Sequence, residues 1–259
     1  MYLPSHHQIA LEDISTRWNP ERFAIARQPQ YVGRLTRYAD MAQPKVSCLD
    51  MLIKKPGGPF KIPYSSPSIL EFAHRCLAYE RMVNPNWHRY YAYLTVDQRT
   101  VSPGLTHRRE GVHFDGMQGV AYGQKLPVCH SYVVSNTLPT RFYVHPFGAS
   151  HLDEQYDNWY VEMGKQALKR LSFQPCPFDI FLMTAYQLHE SVVATRRVKR
   201  TFMRLEFTLK QYNRIGNTLN PLLMVNWTFI DREIPMHLSS DSLNDTGWDG
   251  QMPLRFWTQ

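Results

Sequence analysis

Gly111-Val112-His113-Phe114-Asp115-Gly116 places a histidine and an aspartate two residues apart in a short run that reads as a β-strand. Side chains alternate faces along a strand, so His113 and Asp115 point one way and Phe114 the other. A second histidine lies in Tyr186-Gln187-Leu188-His189-Glu190-Ser191. If the fold joins the two segments, His113, Asp115 and His189 form a two-His, one-carboxylate metal site. Such a site holds one face of an octahedral ion and leaves the opposite face open. An H-x-D pair alone carries little weight in a chain with eleven histidines.

Around this stretch the chain has the texture of a β core. Short runs rich in Tyr, Val, Thr and Phe, separated by Pro, Gly or Asn, predict strands at 90–96, 111–114, 131–135, 141–144, 180–184 and 201–209. Helical spacing returns around 156–171, where Trp159, Tyr160, Met163, Ala167 and Leu171 fit one face. Upstream, Ser66-Pro67 opens the clearest helix: a serine cap, proline in the first turn, apolar Ile69, Leu70, Phe72, Ala73, Cys76, Leu77 and Met82, and an end near Asn84-Pro85. This helix is expected to pack on the outside of a sheet.

Residues 1 to about 50 read as an irregular wrapping segment with one short helix near Pro20–Arg27. The apolar run Leu49–Ile53, interrupted by Asp50, is too brief to assign, and Pro56-Gly57-Gly58-Pro59 predicts a turn. Residues 212–221 form a turn-rich strap before the apolar run 222–230, with closure over the core or an oligomer contact as its two roles; 239–250 is polar and loop-like. One domain is expected over residues 1–259: a wrapping segment and support helix at 1–89, the core at 90–209, and a C-terminal strap at 210–259.

At 259 residues, 43% hydrophobic and 20% charged, the chain can bury a sizeable core and is not disordered. A net charge of +7 favours anionic partners. The basic residues are scattered apart from Arg196–Arg200 and His107–Arg109, which argues against sequence-specific nucleic-acid binding. Four separated cysteines with no C-x-x-C pair signal neither a zinc knuckle nor a disulfide framework. No stretch reads as a membrane span or a secretory leader, so a cytoplasmic location is the expectation.

Arg200 and Arg204 sit four residues apart on the last core strand, hence on one face. An inward-facing arginine is costly unless it meets an anion, and a dicarboxylate would supply one. The alternative is a solvent-facing strand whose arginines pair with Glu206. His107, Arg108 and Arg109 could clamp an anionic substrate or form a solvated loop. Tyr122, Gln124, His130, Tyr143 and His145 are candidate pocket residues, with core packing as the commoner role for each. Glu190 and Ser191 could orient His189.

With these residues assembled, the chain resembles the Fe(II)/2-oxoglutarate-dependent dioxygenase superfamily over roughly 90–209: H-x-D, a distal His, then an Arg on the following strand. In the taurine dioxygenase-like branch a Thr about twenty-five residues after the Asp contacts 2-oxoglutarate, and arginines follow the distal His by eleven and fifteen. Here Thr140 follows Asp115 by 25, and Arg200 and Arg204 follow His189 by 11 and 15. The two histidines are only 76 residues apart, which leaves the branch open between this one and the phytanoyl-CoA hydroxylase-like branch.

The resemblance implies a mainly β fold, a double-stranded β-helix or jelly roll with flanking helices and the metal at its open end. It implies Fe(II) on His113, Asp115 and His189, with 2-oxoglutarate as co-substrate held by Thr140 and by Arg200 or Arg204. It also implies O2 as oxidant and hydroxylation of an unactivated C–H on a small or carrier-bound metabolite, anionic or not, releasing succinate and CO2. A carboxylate at position 115 favours hydroxylation over halogenation. Three alternatives remain at this stage: a cupin-like metal enzyme that does not use 2-oxoglutarate, a non-catalytic jelly-roll binding module, and a nucleic-acid-modifying oxygenase.

Overall fold

The computed structural model describes residues 6–43, 46–115, 129–153 and 157–229. Its helices are α1 (His6–Ser15), α2 (Pro67–Val83) and α3 (Trp159–Gln166). Its strands are β1 (Gln30–Arg34), β2 (Cys48–Lys54), β3 (Tyr91–Val101), β4 (Val112–His113), β5 (His130–Ser135), β6 (Arg141–Tyr143), β7 (Ser172–Phe173), β8 (Asp179–Thr184), β9 (His189–Glu190) and β10 (Val198–Thr208). Every predicted strand is present within a few residues, and α2 has the expected caps: Ser66 Oγ accepts from the Ile69 amide, and Asn84 closes the other end. The 56–59 turn is also present, with Gly57 at φ +73°, a conformation open to glycine without a Cβ clash.

The strands form two antiparallel sheets, one of six in the order β1-β8-β5-β10-β3-β2 and one of four in the order β4-β9-β6-β7. Alternation along β10 divides the large sheet's two faces. Met203, Leu205 and Phe207 point to the helical side, where they join Leu94, Val96, Tyr132 and Leu182, Ile69, Phe72 and Cys76 of α2, and Ala10 and Ile14 of α1 in one buried cluster. Arg200, Phe202, Arg204 and Glu206 point the other way. There Phe202, Val133 and Met183 pack with Phe142 of the small sheet, so the two sheets face each other.

The jelly-roll expectation is corrected here. Among the described residues no ladder joins the two sheets, which are not closed into a barrel, and with its helices the chain has a mixed α/β fold. The physical reason lies in strand length and pairing. β4, β7 and β9 are two residues long and β6 is three, too short to carry hydrogen bonding around a closed surface. Periodicity reveals that a strand is half-buried without revealing its partner.

The first fifty residues are also more regular than expected. They supply α1, a 3-10 turn at Pro20–Ala24, the edge strand β1 and the start of β2 at the opposite edge, whose remainder is the 49–53 run left unassigned from sequence. The strap from 212 runs along β2: the Thr218 amide donates to Leu49 O, the Leu49 amide to Thr218 Oγ1, and Asn220 Nδ2 to Leu52 O and Lys61 O. It thereby covers an edge that would otherwise expose unpaired backbone groups. Tyr122, Gln124 and the 239–250 segment lie outside the described residues. No helix among the described residues is long and apolar enough to cross a membrane.

Candidate metal centre

β4 and β9 pair so that His113 stands directly opposite His189, with ring centroids 4.4 Å apart. Asp115 follows just beyond the end of β4, and one donor atom from each of His113, Asp115 and His189 lies within 4.8 Å of the others. The alternation read from the sequence persists past the strand end. Phe114 is fully buried among Trp18, Phe23, Trp159 and Tyr160, while His113 and Asp115 are half-buried on the opposite side. The aromatic cluster therefore anchors the middle of the H-x-D segment and aims both donors.

The hydrogen bonds select which atoms are free to coordinate. His113 Nδ1 lies 2.9 Å from Gly111 O and His189 Nδ1 lies 2.9 Å from Gln187 O. Each ring thus donates Nδ1–H to backbone and leaves Nε2 as the lone-pair donor, the usual support for a metal-bound imidazole. His189 Nε2 is 4.0 Å from Asp115 Oδ1. Burial, reinforced by His189 and Arg109, holds the His113 pKa well below its ordinary value, so the ring is neutral as ligation requires. Burial would raise the Asp115 carboxyl, but the positive groups around it, Arg204 and Arg108 among them, outweigh burial and hold it below the usual carboxylate range. Two imidazoles and a carboxylate fit a divalent transition metal. Cis ligands at about 2.1 Å from an octahedral ion are roughly 3 Å apart, so a bound ion would draw these donors closer.

The two arginines have different surroundings. Arg204 lies beside the triad: Nη1 is 3.4 Å from Asp115 Oδ2, Nη2 is 2.9 Å from Asp50 Oδ1 and Nε is 3.7 Å from Glu206 Oε2. Glu206 in turn accepts from the Tyr212 hydroxyl of the strap. Arg204 is thus surrounded by the protein's own carboxylates.

Arg200, four residues earlier on the same face of β10, is 2% exposed. Its Nε donates to Thr137 O and Leu138 O, and Nη1 lies 2.9 Å from His107 Nδ1. Among the described residues no carboxylate comes within 4.0 Å of it, and burial together with Arg108 lowers its pKa to about 9. Thr140 sits two residues after Leu138 in the same β5–β6 turn, half-buried, so that turn packs on Arg200.

Several other candidates have structural work instead. His130 is buried on the helical side, between Glu80 Oε2 at 2.8 Å and Ala10 O at 2.9 Å. His145 bonds Pro146 O and the Leu168 amide, and Tyr143 is buried in the small sheet with its carbonyl held by Gln187. His107 is buried 3.3 Å from Asp97 Oδ2, which Arg108 also approaches. His107 and Arg108 are thus turned toward Asp97, and His107 is not part of a solvated loop. Glu190 pairs with Arg141 at 2.7 Å. Asp50 is the site residue missed by the sequence reading; its signal was a carboxylate interrupting an apolar run.

No protein-family model matches the chain, and no curated protein matches it significantly. Solved structures similar to it include AviO1 from Streptomyces viridochromogenes Tue57, with TM-score 0.39, 10% identity, and coverage of 77% of this chain and 93% of that one. EvdMO1 gives TM-score 0.38, 11% identity, and coverage of 79% of this chain and 50% of the other. The apo form of ThoJ, described as a non-heme monooxygenase, gives TM-score 0.28, 12% identity, and coverage of 59% and 60%. TM-scores at this level leave function to be argued from the site itself.

Proposed function

We propose that this chain is an Fe(II)-dependent oxygenase that uses 2-oxoglutarate and O2 to hydroxylate a C–H bond of a small or carrier-bound substrate. The observation that carries the reading is the convergence of His113, Asp115 and His189 to within 4.8 Å of one another. When bound there, iron would supply O2 activation coupled to decarboxylation of 2-oxoglutarate to succinate and CO2.

The chain's own residues have separable parts. His113 and His189 offer Nε2, and Asp115 offers one oxygen. Arg200 and the Thr140 hydroxyl would hold the distal carboxylate of 2-oxoglutarate, and Arg200 is preferred to Arg204 because Arg204 is already matched by Asp50, Asp115 and Glu206. A guanidinium fork suits a carboxylate in geometry and charge. The Trp18, Phe23, Phe114 and Trp159 cluster behind the H-x-D segment keeps water from that side.

Anaerobic protein mixed with Fe(II) and 2-oxoglutarate should develop a metal-to-ligand charge-transfer band and, under air, form succinate. Absence of both with metal bound would discard the 2-oxoglutarate reading. A metal enzyme without 2-oxoglutarate is the second reading, favoured by the internal partners of Arg200; metal binding with turnover indifferent to 2-oxoglutarate would support it.

A further inference from the structure

Asp50 lies on β2, an edge strand on the far side of β3 from β10, yet its carboxylate reaches Arg204 at 2.9 Å. The backbone makes this possible. Pairing between β2 and β3 shifts register between Cys48 and Met51, and Asp50 sits inside that shift at φ +43°. A bulge of this kind re-aims a side chain, and a non-glycine residue in the left-handed region carries strain that the surroundings must maintain. Thr95 of β3 secures the arrangement: the Asp50 amide donates to Thr95 Oγ1 at 3.0 Å, and that hydroxyl donates to Asp50 Oδ1 at 3.0 Å.

Arg204 then spans Asp50 and Asp115 Oδ2, leaving Asp115 Oδ1 as the oxygen near His189 Nε2. We infer that Asp50 is a positioning residue of the metal centre: through Arg204 it holds Asp115 so that a single carboxylate oxygen is presented to the ion. The charges agree. Asp50 and Asp115 both contact one guanidinium, and Glu206, whose carboxyl burial pushes up, lies 3.7 Å from it, so acidic groups outnumber Arg204 beside the triad, as suits a bound cation; Arg108 is engaged by Asp97. Without Asp50, Arg204 would turn fully to Asp115 and compete with the metal for it. This inference rests on the metal-site reading above.

The test measures Mn(II) affinity by calorimetry and the Co(II) ligand-field spectrum in wild type, Asp50→Asn and Thr95→Val, with apo-protein melting as the control for folding. Asparagine tolerates the left-handed backbone and is isosteric but uncharged. Affinity in Asp50→Asn should fall about 10- to 100-fold with an altered Co(II) spectrum, the size typical of supporting residues behind a ligand. Thr95→Val, which keeps Asp50 and its bond to Arg204 but removes the hydroxyl that steadies it, should give a smaller change in the same direction. Wild-type affinity and spectrum in a folded Asp50→Asn, or in a folded Thr95→Val should Asp50→Asn not fold, would overturn the Asp50 role alone. Failure of wild type itself to bind either ion would overturn the metal-site reading and this inference together.

Discussion

His113 and His189 face each other across a two-residue ladder with ring centroids 4.4 Å apart, although 76 residues separate them in the chain. Each ring is oriented by a bond from Nδ1 to a carbonyl two residues earlier, so the pair is aimed before any ion arrives. His113→Ala and Asp115→Ala should each abolish measurable Mn(II) binding in calorimetry while leaving the circular dichroism spectrum unchanged. Retained binding in both would remove the ligand assignment.

Phe114 links the core to the site. Its ring lies 4.9 Å from Phe23 and 5.7 Å from Trp18 and is fully buried. Phe114→Ala should cost about 3–5 kcal/mol in urea unfolding, and the folded fraction should bind metal more weakly because the flanking donors lose their anchor. Phe114→Leu should recover most of both.

Arg200 is expected to affect the co-substrate, not the metal. Arg200→Gln leaves the carbonyls of Thr137 and Leu138 with a weaker donor, a loss of about 1–3 kcal/mol in stability. In the active enzyme the KM for 2-oxoglutarate should rise at least about tenfold, equivalent to ~1.4 kcal/mol, with a smaller change in kcat. Unchanged KM would move the co-substrate elsewhere or remove it.

Glu80 and His130 form a fully buried pair that ties α2 to β5, with Tyr132 also donating to Glu80 at 2.7 Å. Burial alone would lower the His130 pKa, but Glu80, the Ala10 carbonyl and Asp13 outweigh it and raise it above 6.5. A group raised on folding stabilises most below its unfolded pKa and loses that contribution as pH climbs through the folded value. Thermal melts should therefore show stability falling as pH rises above about 6.5, and His130→Gln should flatten that dependence. Glu80→Ala, which leaves a buried charge alone, should cost about 3–5 kcal/mol.

Much of this was legible from local pattern. The α2 caps, the strand positions, the shared face of Arg200 and Arg204, and the opposed faces of Phe114 and its neighbours follow from spacing and alternation, which depend on the backbone alone. Charge roles were not legible in the same way. Arg204 was read as a seat for an external carboxylate, yet its partners Asp50 and Asp115 come from positions 154 and 89 residues away. A buried arginine demands an anion without specifying whose.

By itself, then, the sequence determined which segments extend, which coil, and which side chains share a face, because those are properties of neighbouring residues. Only the tertiary structure decided that the strands lie in two open sheets, that a bulge turns Asp50 inward, and that His113, Asp115 and His189 meet. Each depends on which edge pairs with which, and that choice is made by burial across the whole chain, where distant residues satisfy one another's charges and hydrogen bonds.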